Sequence, residues 1–106
     1  HFDIYTWPHE LRAALKAELG EFPFPAFWGP MAGQQSPVGK PEAVSEWIAN
    51  AAKWIEQQQQ PTLNLVYLPH LDYNLQRLGP GHPEIANDLQ RIDRIVGELI
   101  DFFEAR

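Results

Sequence analysis

The seven residues from Thr62 to Leu68, TLNLVYL, restrict the fold of this chain more than any other stretch. They are mostly apolar, include the β-formers Val66 and Tyr67, and are bounded by Pro61 and Pro69. A run this short, with continuous rather than alternating hydrophobicity, reads as a strand covered on both faces. A strand cannot stand alone, because its N–H and C=O groups need ladder partners. No second convincing strand is present, so the expected class is α/β, the chain being an excerpt of an α/β/α core. On this reading the excerpt is mostly helical, with three helices and one main strand at about 62–68. The start at His1 without an initiator Met, and the end at Arg106 inside a helical pattern, agree with a single partial domain from a longer protein.

The helices follow from periodicity and punctuation. Thr6 before Trp7-Pro8 is a helix start, Leu11, Leu15 and Leu19 recur every four residues, and Gly20 supplies the stop. Pro41 opens a second helix through about Gln58, with Val44, Trp47, Ile48, Ala51, Trp54 and Ile55 on one stripe. Gln57 to Gln60 form its polar end. The third begins at His82-Pro83 and carries Ile85, Leu89, Ile92, Val96, Leu99 and Phe103 as its apolar stripe, widened by Ile95 and Ile100. Asp88, Arg91, Arg94 and Glu98 are expected on the solvated face, where charge pairs contribute only about 0.2–0.5 kcal/mol each.

Between the first two helices, Glu21 to Lys40 holds Pro23, Pro25, Pro30 and Pro37, which forbid a helix. It also holds Phe22, Phe24, Phe27 and Trp28, too apolar for a plain linker. Two readings stand: the rings pack under the loop, or Phe27 and Trp28 line a substrate cleft.

Charge and composition exclude several classes. The net charge is −6, from 8 basic and 14 acidic residues, and no basic run follows a phosphate backbone. A nucleic-acid polymer is therefore not an expected partner. With no cysteine, disulfides and thiolate chemistry are absent. No apolar run approaches the ~20 residues of a membrane span.

Chemistry concentrates just after the apolar run, in HLDYNLQRLGP. A carboxylate past the carboxyl end of a buried strand is where α/β proteins hold ligands. Asp72 is the only carboxylate between Glu56 and Glu84. In extended geometry His70 and Asp72 point the same way, and Gln76 follows four residues later. A divalent ion would accept the Asp oxygen and the His nitrogen. By spacing alone, Asp72 is as often a cap as a ligand. His9 reads as a solvated side chain. Ser36, Ser45, Thr6 and Thr62 occupy loop, helix-surface or boundary positions, so no catalytic nucleophile is assigned.

The segment from Pro61 to Phe102 resembles the type I phosphodiesterase/nucleotide pyrophosphatase family of the alkaline phosphatase superfamily. The likeness rests on a Tyr-Leu strand end, an Asp, Gly79-Pro80, and a following helix with Leu89-Gln-Arg-Ile-Asp93. FPFPAFWGP and SEWIANAA also look like a bacterial subgroup. The resemblance implies hydrolysis of phosphate esters or nucleotides at two metal ions, usually zinc, with a Thr or Ser nucleophile. Asp72 falls on a metal-binding Asp position. Gln76 falls where the family has a metal-binding His, and a neutral amide is a poorer zinc ligand than imidazole; His70 is a further candidate. The nucleophile and other ligands are expected outside this sequence, so the segment alone is expected to be inactive, to bind no metal tightly, and to self-associate through bare helix faces. The rival expectation is a non-catalytic helical module that binds another protein.

Overall fold

The computed structural model describes residues 2–27 and 40–106. Four α-helices follow in chain order: α1 (Leu11–Leu19), α2 (Glu42–Gln59), α3 (His70–Leu78) and α4 (Glu84–Glu104), with a short 3₁₀ turn at Phe24–Ala26 between the first two. Among the described residues there is no strand, so the expected α/β class is wrong: the chain is predominantly helical. Thr62–Leu68 runs extended but joins no ladder. The reason is visible in its side chains. Leu63, Leu65 and Tyr67 point outward, each at least 70% exposed. Val66 and Leu68, the alternate residues, pack against a cluster formed by Ala49, Ile95 and Leu99. The segment lies along the helices by one face, pinned where Asn64 Nδ2 donates to Glu56 Oε2 at 3.1 Å. It is not a strand covered on both sides.

The second correction is α3. The nine residues from His70 to Leu78 form a fourth helix, ended by Gly79 with φ +83°. That conformation costs glycine little and an L-residue more.

The other helix limits follow local signals closely. Gly20 terminates α1 with φ +78°. Helix α2 ends at Gln60 in the left-handed region, immediately before Pro61. Helix α4 starts just after Pro83. Helix α1, however, begins at Leu11 and not at Thr6-Trp7-Pro8. Thr6 Oγ1 donates to the carbonyls of Pro8 and His9, whereas an N-cap must accept from an amide. The segment before α1 is tied to it by Asp3, whose carboxylate accepts from Lys16 Nζ at 3.1 Å. Lys16's hydrogen bond, aided by the Ile4 amide, holds the Asp3 carboxyl below its ordinary pKa, and Asp3 in turn raises that of Lys16.

The core is divided in two. One cluster joins Ala26, Val44 and Tyr73, with Phe22, Ala43 and Ile48 packed against it; the other is the Ala49, Ile95 and Leu99 group, closed by Val66, Leu68 and Phe103. Helix α4 packs on both α2 and α3. The molecule measures 41 × 36 × 19 Å. Its thin dimension is about two helix diameters, so a helix is covered on one side only. This explains why Leu89, Val96 and Ile100, expected in the buried stripe, are exposed while Ile85, Ile95 and Leu99 are buried. No helix among the described residues is long and apolar enough to cross a membrane.

Candidate functional site

Helix α3 presents two different faces. His70, Tyr73 and Asn74 are buried, and Arg77 shares their side at i, i+3, i+4, i+7 spacing. Asp72 is half-buried and Gln76 exposed. Two residues apart on a helix is about 200° of rotation, so His70 and Asp72 point to nearly opposite sides. The shared direction expected from extended geometry does not arise, because the backbone here is helical.

His70 is completely enclosed. Its Nδ1 lies 2.7 Å from Ser45 Oγ and its Nε2 lies 3.2 Å from the backbone carbonyl of Asp88. A carbonyl can only accept, so in the neutral ring Nε2 carries the proton and Nδ1 accepts from the Ser45 hydroxyl. Ser45 Oγ also accepts from the His70 amide at 3.4 Å. Both ring nitrogens are thus engaged within the protein.

Next to it runs a buried polar chain that joins three helices. Asn74 Nδ2 donates to Asp88 Oδ2 at 2.8 Å, and Arg77 donates to Asn74 Oδ1 at the same distance. Asp88 Oδ1 pairs with Arg91 at 3.4 Å, and Arg91 Nε reaches Glu42 Oε1 at 3.4 Å. Asp88 and Ser45 are fully buried. The sequence pattern puts the first on a solvated face and the second on a helix surface, and both placements are wrong. Glu42 and Asn74 also join this chain, and no sequence signal singles them out.

On the outer side of α3, Gln76 Nε2 donates to Asp72 Oδ2 at 2.9 Å. Asp72 makes no ion pair among the described residues. Phe27 is 37% exposed. Its ring meets Phe22 edge-on at 5.5 Å and Tyr73 at 6.4 Å. That contact sets Phe27 beside the residue next to Asp72. Trp28, the other aromatic candidate, lies outside the described residues. Among the described residues no three His, Asp or Glu side chains converge as a metal-binding group.

The profile of the family described as type I phosphodiesterase / nucleotide pyrophosphatase matches residues 2–106. The chain belongs to this family. A similar protein is an uncharacterised pyrophosphatase/phosphodiesterase of Schizosaccharomyces pombe, 31% identical over 67 residues. Those residues are 63% of this chain and 13% of the yeast protein, so the chain spans a small part of its phosphodiesterase-family relative. No solved structure is significantly similar to the chain.

Proposed function

We propose that the chain serves a metal-dependent hydrolase of phosphate esters or nucleotide anhydrides, to which it contributes Asp72 and Gln76 at a divalent cation and Phe27 and Trp28 at the substrate wall. The observation that carries this reading is the state of Asp72. It is a reachable carboxylate whose side chain meets a neutral amide and no ion pair among the described residues. Asp3, Glu42, Glu56 and Asp88 each face a basic side chain, whereas Glu84, which accepts from the Asn87 amide, shares the state of Asp72 but follows no apolar extended segment. A first-turn acid is also favoured by the helix dipole, by about 0.3–1 kcal/mol, so a stability measurement alone does not test the reading.

The donor set fits a cation in kind, since a carboxylate and an amide both offer oxygen. When bound, such an ion neutralises charge on the phosphoryl oxygens and polarises the bond to be broken. The protein's own part is positional. His70 and Asn74 tie the inner face of α3 to α2 and α4, which positions Asp72 and Gln76 on the outer side. Phe27, part-exposed and braced against Tyr73 and Phe22, offers a ring on which a base or sugar could stack. The nucleophile lies elsewhere in the full-length protein, and this segment by itself is inactive.

In the full-length protein, Asp72→Ala is expected to lower hydrolysis of a chromogenic phosphodiester at least about tenfold, together with its metal content. Unchanged activity and unchanged stoichiometric metal would remove Asp72 from the site.

A second reading is favoured by Leu63, Leu65 and Tyr67, which form an apolar row on the extended segment. As an isolated piece, the chain associates with copies of itself through this row. Sedimentation of the 106-residue chain should show a mass that rises with concentration, and Leu65→Lys should return it to the monomer.

A further inference from the structure

The geometry points to Gln76 as the residue that sets which cation Asp72 accepts, in favour of an oxygen-seeking ion of the magnesium or manganese type over zinc; this rests on the reading of Asp72 given above. The two heads lie on adjacent turns of α3, 2.9 Å apart, at the solvent side. A half-turn of the terminal amide exchanges nitrogen for oxygen without moving the backbone, and would set two oxygens side by side at that spacing. Neighbouring corners of an octahedron with bonds of ~2.1 Å are about 3 Å apart, so two oxygens at this separation suit an ion of magnesium or manganese size, whereas calcium, with bonds of about 2.3–2.6 Å, needs them spread farther.

Neither histidine that flanks Asp72 in sequence joins it in a metal-binding group among the described residues. The histidine nearest in sequence is enclosed, and both its ring nitrogens are engaged by Ser45 and by the Asp88 carbonyl. His82 accepts from the Glu84 amide through Nδ1 at 3.1 Å, and it belongs to no metal-binding group among the described residues. Zinc owes its preference to imidazole and thiolate ligands, whereas carbonyl and carboxylate oxygens suit magnesium, calcium and manganese. What this chain brings to the site is one carboxylate and one neutral amide, and that pair does not fit a nitrogen-ligated zinc ion. Gln76 is thereby a specificity-determining residue.

The test measures binding, not turnover. Manganese affinity is read by electron paramagnetic resonance of the free ion, and zinc affinity by competition with a chromogenic chelator, in the full-length protein and its Gln76→His, Gln76→Ala and Asp72→Ala variants. Zinc binds more tightly than manganese at most sites, so the ratio between variants is the informative quantity. Gln76→His is expected to shift the zinc-to-manganese ratio toward zinc by at least about tenfold. Gln76→Ala, at an exposed helix position, should weaken manganese binding more than zinc binding, a smaller shift of the ratio in the same direction. If Asp72→Ala abolishes binding while Gln76→His leaves the ratio unchanged, the role of Gln76 is overturned and that of Asp72 stands. If Asp72→Ala alters the binding of neither ion, the underlying reading falls, and this inference with it.

Discussion

Asp88→Ala is expected to destabilise the chain by about 3–5 kcal/mol, a large share of the ~5–15 kcal/mol that separates folded from unfolded domains. The substitution does more than delete one ion pair. It strips Asn74 Nδ2 of its acceptor and leaves the Arg91 guanidinium, which is only partly exposed, with Glu42 alone. Buried donors left without partners cost about 1–3 kcal/mol, more when charged. Asp88→Asn keeps an acceptor for Asn74 and should cost roughly half as much. Replacing Asp88 and Arg91 together by apolar residues of similar volume should recover most of the loss, since removing a buried pair costs less than breaking one. Urea unfolding followed by circular dichroism decides the matter. Equal costs for the alanine and asparagine variants would mean that Asp88 acts through volume and not through its oxygens.

Ile95→Ala is expected to cost about 2–5 kcal/mol, whereas Leu89→Ala should stay below about 1 kcal/mol. Both residues belong to the apolar pattern of α4, and a reading of the pattern alone would treat them alike. Ile95 is 2% exposed at the centre of the group with Ala49 and Leu99, under Val66, Leu68 and Phe103. Leu89 is 49% exposed. It lines an open groove with Ile92 and Val96 on the uncovered side of the helix. The gap between the two midpoints in the same urea titration is the measurement, and closely similar losses would show that the outer side of α4 is covered in solution.

The chemistry on α3 is partly legible in the residues themselves. Asp72 stands out as the one carboxylate between Glu56 and Glu84, and Gln76 as an amide four residues after it. The helix that carries them is harder to see, although its signals are present. His70, Tyr73, Asn74 and Arg77 recur with helical spacing, and the stretch is bracketed by Pro69 and Gly79. The apolar run next to it draws those residues into a strand-and-loop interpretation. His70 then looks available to a metal because it stands two residues from Asp72, a spacing that brings side chains together on a strand and separates them on a helix.

Most helix ends, the start of α1 excepted, were determined by the sequence itself. Gly20, Gly79, Pro41, Pro61 and Pro83 act through backbone torsions and missing donors within a residue or two, whatever lies farther away. Family membership was equally legible, since it rests on residue order. Only the tertiary structure decided which apolar face is covered, and which of Ser45, His70 and Asp88 leave water. Those outcomes depend on α2, α3 and α4 meeting across long stretches of chain, and a carboxylate on a charged helix face carries no mark of the asparagine that another helix brings to it. The same holds for Thr62–Leu68: its composition favours an extended backbone, but a strand exists only where a neighbour supplies the ladder, and among the described residues none does.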